Sequence, residues 1–169
     1  MSQPQLLKIP LDSGDVVYTP DWVAQDMVGF FNPSGTILEP CKGRGVFLHY
    51  LPSNTEWCEI LEGKDFFAWN EPVDWVFGNP PYRIIKEWLQ HSFNIADNVA
   101  YLLPMNSPFN SMGRLKMIYN YGGIKSIRAY GNGSLFGMGY GFAIGAFHIQ
   151  RNYLGQIDFT ICVASQDES

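Results

Sequence analysis

Four consecutive residues, Asn79-Pro80-Pro81-Tyr82, carry the most specific chemistry in the sequence. They follow Trp75, Val76, Phe77 and Gly78, an apolar run that reads as a buried strand. Proline has no N–H to give a sheet ladder, so the strand has to stop at Asn79. What remains is a rigid turn at a strand's carboxyl end, presenting an amide oxygen, the carbonyl of Pro80 and the flat ring of Tyr82. Two acceptors beside an aromatic ring suit one task, the handling of a planar nitrogen.

The elements that must position this turn can be read in chain order. Residues Asp15 to Pro20 form a short extended piece leading into a helix, with Thr19 as N-cap, Pro20 as first helical residue, and Trp22, Val23, Met27 and Phe30 on one face. Gly35 to Glu39 reads as a strand, Pro40-Cys41-Lys42-Gly43-Arg44-Gly45 as a glycine-bearing turn, and Val46 to Leu51 as a helix. Strand, glycine turn and helix together let backbone approach a nucleotide-like ligand, with the helix amino end toward any anion. A second strand, Glu56 to Ile60, ends among acids, and a carboxylate at that place suits a ribose diol. Glu59 is the chosen residue, with Glu62 and Glu56 as rivals. Asp65 and Phe66 offer an acceptor and a ring to an adenine, although Phe66, Phe67 and Trp69 also read as core residues capping a turn.

After the proline turn, Arg83 to Ala96 is predicted helical through Ile84, Ile85, Trp88, Leu89 and Phe93. Asn98 to Leu103 reads as a buried parallel strand, Met112 to Asn120 as a helix and Ile124 to Tyr130 as a strand. A glycine-dense stretch, Gly131 to Gly141, precedes strands over 142–149 and 157–163. Alternating strands and helices predict a layered α/β sheet, mostly parallel, with an antiparallel hairpin at the carboxyl end.

The chain has 169 residues, 46% of them hydrophobic and 16% charged, which predicts one domain over 1–169. With no run near the ~20 apolar residues of a membrane span and a polar start, a cytoplasmic protein is expected. Cys41, Cys58 and Cys162 are widely spaced with no paired motif, and His49, His91 and His148 are isolated, so no metal site is expected. The net charge of −5 is unevenly spread: residues 1–97 hold thirteen acids and six bases, whereas residues 98–157 hold five bases and no acid. That acid-free stretch, with Arg114, Lys116, Lys125 and Arg128 among aromatics, reads either as a face for a polyanion or as a solvated surface.

Taken together, Tyr18-Thr19-Pro20, Glu39-Pro40-Cys41-Lys42-Gly43-Arg44-Gly45, Asp65-Phe66 and Asn79-Pro80-Pro81-Tyr82 resemble the ordered motifs of S-adenosylmethionine-dependent adenine-N6 DNA methyltransferases, in the gamma-like order. The resemblance implies a Rossmann-like class I methyltransferase sheet and methyl transfer to adenine N6 in DNA, with the base flipped into a pocket at Asn79-Pro80-Pro81-Tyr82. It assigns Tyr18, Thr19, Pro20, Glu39, Pro40, Gly43, Gly45, Glu59, Asp65 and Phe66 to the cofactor. It also implies DNA as partner, for which the acid-free stretch with Arg114, Lys116, Lys125 and Arg128 is the candidate contact face.

Three departures from that pattern shape the expectations. Only five residues separate Glu59 from Asp65, so the sheet should be trimmed near its second and third strands. Glu39 stands where aspartate is usual, and Lys42 and Arg44 bring positive charge toward a cationic cofactor. No target-recognition domain is visible, so specificity comes from segments 104–114 and 130–141, from a partner subunit, or is slight; a partner subunit or a homodimer is the expected assembly. RNA adenine, protein glutamine, or a non-catalytic cofactor-binding subunit are the alternative readings.

Overall fold

A computed structural model describes residues 18–136 and 142–163. Residues 15–17 of the expected extended piece and 137–141 of the glycine-dense stretch, Tyr140 included, lie outside the described residues. The chain forms a seven-stranded sheet in the order β2-β1-β3-β4-β6-β5-β7. The strands are β1 (Ile37–Glu39), β2 (Glu56–Trp57), β3 (Val73–Gly78), β4 (Ala96–Pro104), β5 (Gly122–Asn132), β6 (Ala143–Arg151) and β7 (Asp158–Ile161). The helices are α1 (Asp21–Phe31), α2 (Ile85–Ile95) and α3 (Met112–Tyr121).

Side chains alternate along each central strand, so each face of the sheet collects its own core. Leu38, Val76, Tyr101, Leu103, Phe147 and Ile149 meet Trp88, Leu89 and Phe93 of α2 and Ile118 and Tyr121 of α3. On the other face Ile37, Phe77, Ala100, Leu102, Ile144 and Ala146 pack with Val23, Ala24 and Met27 of α1. Helices on both faces of a largely parallel sheet make the layered α/β arrangement that the alternation of elements predicts.

One strand is reversed. β6 pairs antiparallel with β4 on one side and with β5 on the other. The antiparallel hairpin is therefore β5–β6, with β6 inserted beside β4, and the last strand, β7, runs parallel to β5 at the sheet's edge. The opposite edge is trimmed as expected. β2 has two residues and pairs only with β1, after which 3-10 turns at Ile60–Glu62 and Phe66–Ala68 lead directly to β3.

Two local expectations are corrected. The helix expected over Val46 to Leu51 is a single 3-10 turn, Phe47–His49. Gly43 and Gly45 take positive φ of 53° and 82°, and Pro52 follows, so the segment between has no room to propagate a helix. Pro20, not Thr19, is the N-cap of α1, because the Pro20 carbonyl accepts from the N–H groups of Val23 and Ala24 while the Thr19 hydroxyl is used elsewhere. Among the described residues no helix is long and apolar enough to cross a membrane.

Candidate functional site

β1 and β3 are parallel neighbours, with Leu38 opposite Val76, so the turns that follow them emerge side by side at the carboxyl end of the sheet. Glu39 closes β1, and its side chain lies against the end of β3. A Cβ at position 78 would come within 2.7 Å of Glu39 Oε1, which only glycine avoids. The glycine loop and the proline turn are then tied together. Cys41 Sγ donates to the carbonyl of Asn79 at 3.1 Å, while Lys42 N–H anchors the loop on the other side, donating to Cys58 O just after β2 at 3.0 Å. From the amino-terminal side, Thr19 Oγ1 accepts from Asn79 Nδ2 at 3.1 Å. That bond orients the amide, since it commits the nitrogen end to Thr19.

These turns enclose a cavity of about 750 Å³ at the carboxyl ends of β1, β2 and β3. All four residues of the proline turn line it, as do Tyr18, Thr19, Glu39, Pro40, Gly43, Glu59, Asp65 and Phe66. Of the ten residues assigned to the cofactor, Pro20 and Gly45 are not among its walls. Pro20 begins α1, and Gly45 supplies the left-handed turn behind the wall. Ile60 and Leu61 also line the cavity and remain exposed, a contribution that the sequence reading missed. The signal was an apolar pair placed directly after the strand-tip acid and before Glu62. Trp88 was assigned to the core alone, yet it also forms wall.

The acids differ in what they hold. Glu39 is wholly buried, and burial raises its carboxyl to a pKa of about 8. Its Oε1 accepts from Cys41 N–H at 2.9 Å, whereas Oε2 has no hydrogen-bond partner among the described residues. A buried carboxyl with an unmatched oxygen on a cavity wall is costly until a cation or a donor arrives there. Glu59 caps the 3-10 turn Ile60–Glu62: Oε1 accepts from Leu61 N–H at 3.1 Å and Oε2 from Gly43 N–H at 2.9 Å. It thereby staples the glycine loop to β2, and each oxygen keeps a second lone pair for a hydroxyl. Of its rivals, Glu62 is ion-paired with Lys42 at 2.9 Å and Glu56 is absent from the wall. Asp65 caps the 3-10 turn Phe66–Ala68, accepting from Phe67 N–H at 3.0 Å.

The aromatic residues are similarly placed by the core. Phe66 stacks on Trp88 with centroids 4.6 Å apart, so one of its faces is already occupied. The Trp88 indole N–H is buried and has no partner among the described residues. Tyr82 is half-buried against the α2 core, and burial pushes its hydroxyl pKa well up. The cations of the glycine loop are spoken for. Lys42 lies 3.7 Å from the Trp57 ring centroid, as does Lys64 from further along the chain, and Arg44 lies 4.1 Å over Tyr18.

The four basic residues suggested for nucleic acid are not gathered in one place. Arg114, in the first turn of α3, bonds Asn110 Oδ1 and Ser107 Oγ, and Lys116 is exposed on the same helix. Lys125 borders a separate hollow with Trp75, Asn98 and His148, at the amino ends of β3 and β4 and away from the proline turn. Arg128 is committed internally: its guanidinium grips Asp26 of α1 at 2.6 and 2.8 Å, donates to Thr160 and lies over Phe30. Among the described residues, no group of three or more His, Cys, Asp or Glu is arranged to hold a metal ion.

No protein-family model and no curated protein matches the sequence. Solved structures do share its fold. A modification subunit assigned to a type I restriction enzyme from Vibrio vulnificus is similar with a TM-score of 0.62 at 12% identity, over 94% of this chain and 49% of that one. A type I restriction-modification methyltransferase subunit from Streptococcus thermophilus gives 0.61 at 16% identity, over 86% and 47%. A 23S rRNA methyltransferase gives 0.56 at 13%, over 80% and 69%. The chain thus has the Rossmann-like fold of class I methyltransferases, and it spans about half the length of the type I subunits it matches.

Proposed function

We propose that this chain transfers a methyl group from S-adenosylmethionine to the N6 amino group of adenine in DNA, acting in the cytoplasm. The observation that carries this reading is the single cavity shared by the proline turn and by a buried carboxyl with an unmatched oxygen. Nitrogen-handling groups and a site for a cation open on the same space.

The residues present fit the cofactor. Glu39 Oε2 takes the ammonium of its methionine end, which answers the cost of burying that carboxyl. Glu59 holds the ribose through the lone pairs that Gly43 and Leu61 leave over. Asp65 would take the exocyclic amine of its adenine, and Phe66 with the exposed Ile60 and Leu61 would supply apolar wall to the base. Pro40 and Gly43 bring backbone close, with Gly45 making the turn behind them, and Tyr18 and Thr19 close the remaining side ahead of Pro20, which begins α1. When bound, the cofactor supplies an electrophilic methyl on a sulfonium.

Adenine N6 is a poor nucleophile because its lone pair is delocalised into the ring. Asn79 Oδ1 and Pro80 O accept its two hydrogens, which favours pyramidal nitrogen and turns the lone pair toward the methyl. The Thr19–Asn79 bond and the Cys41–Asn79 bond hold these acceptors in position before the substrate arrives, so little reorganisation is needed at the moment of reaction. Tyr82 stacks on the flipped base. Arg114 and Lys116 lie where phosphates can be met from the first turns of α3, and target choice comes from a partner subunit or a homodimer. Labelled-methyl transfer to duplex DNA, RNA and protein in parallel tests the reading: label on DNA adenine N6 is expected, and label on RNA adenine or on glutamine alone would move the same chemistry to those substrates. No turnover by a chain that binds cofactor would make it a cofactor-binding subunit.

A further inference from the structure

We infer that the outer edge of β7 pairs antiparallel with the same edge of a second copy, about a two-fold axis. Cys162 donates its N–H to Ala129 O of β5 at 2.9 Å, so alternation turns the main-chain groups of Phe159, Ile161 and Val163 to the open side. No strand covers that side among the described residues. The same three side chains are exposed, at 54%, 66% and 82%, and share one face of the strand. The other face is used within the chain, through Thr160 under Arg128 and Cys162 against the α1 core.

An unpaired main-chain row beside an apolar row calls for another extended strand rather than a helix or a polyanion. The strand itself is suited to be that partner. Its antiparallel self-pairing, centred on Thr160 or Ile161, places Phe159, Ile161 and Val163 of the two copies in one continuous cross-strand stripe. Asp158 is the single charge between residues 152 and 163, and either register sets the two Asp158 carboxylates at opposite ends. The other sheet edge does not compete. β2 has two residues, and Lys42 and Lys64 flank its Trp57, a charged and shortened edge that resists pairing. β7 thus meets β7, and the contact closes as a dimer instead of growing into a filament. Because β7 runs parallel to β1, β3 and β4, the two catalytic ends of such a dimer open in opposite directions, so each copy serves its own substrate.

Light scattering on the full chain tests this. A mass of two chains is expected, falling to one for Ile161→Lys and for Ile161→Glu, with both variants melting cooperatively; mixing the two variants restores the dimer. Tyr119→Lys, exposed on α3, leaves the dimer intact. Amide exchange needs no variant: the N–H groups of Phe159 and Ile161 should become protected as concentration rises. A chain that stays monomeric up to its solubility limit, or edge amides that exchange fast at every concentration, would overturn the inference.

Discussion

The two halves of the sheet use their polar groups in opposite ways. Around the tips of β1, β2 and β3, Glu39 keeps a buried oxygen and Trp88 a buried N–H with no partner among the described residues, both on a cavity wall. Across β5, β6 and β7 the buried polar groups are matched. Burial alone would raise the Asp26 carboxyl, yet hydrogen bonds from Arg128 and Tyr130 hold it below its usual range. Nearer the surface, Arg151 binds the exposed Asp97 and the carbonyls of Phe93 and Ala96. A half that leaves polar groups unmatched is built to receive something; a half that matches them is built to stand.

That contrast can be broken by substitution. Asn79→Ala removes an acceptor needed only as the nitrogen changes geometry, so kcat should fall by about 10²–10³-fold with cofactor affinity kept. A retained rate would remove the proline turn from the chemistry. Arg128→Ala strips Asp26 of its partly buried partner and should cost about 2–3 kcal/mol in urea unfolding while leaving cofactor affinity alone. If cofactor affinity fell as well, the two halves would not be separable.

Glu39→Gln should weaken cofactor binding roughly tenfold, about 1.4 kcal/mol. It also changes the pH dependence of the ligand-free chain. The carboxyl pKa is raised from 4.5 to about 8 in the folded protein, so its contribution is full below about 4.5 and is lost as pH rises toward 8. The buried His148, held down at about 4, contributes with the opposite sign below about 6.5 in both proteins, so unfolding titrations across that window should show the parent losing stability relative to the variant as pH rises. Smallest of all, Cys41→Ala deletes one S–H···O bond and should cost under about 1 kcal/mol, with a mild fall in kcat as the Asn79 carbonyl loosens.

The parts of this architecture visible in the sequence are those set by neighbours along the chain. Pro80 and Pro81 end β3, Gly43 and Gly45 make their turn, and the short span from Glu59 to Asp65 leaves no room for a helix and strand. What was hidden depends on residues far apart. Asn79 finds Thr19 sixty positions away, and Arg128 finds Asp26 across more than a hundred, which turned an apparent cationic face partly into internal support. The insertion of β6 between β4 and β5 is a long-range pairing that no periodicity reveals. Phe66 could be placed beside a ligand, but its neighbour Trp88 comes from another element.

Calorimetric titration of the full chain with S-adenosylmethionine near pH 7, repeated in buffers of different ionisation enthalpy, tests the unmatched half most directly. Binding should release protons from the parent, because a cation at Glu39 Oε2 lowers a carboxyl that is largely protonated in the free protein; Glu39→Gln should bind more weakly and release none. Absence of binding, or binding with identical affinity and proton release in both proteins, would contradict a cationic cofactor at the tip of β1.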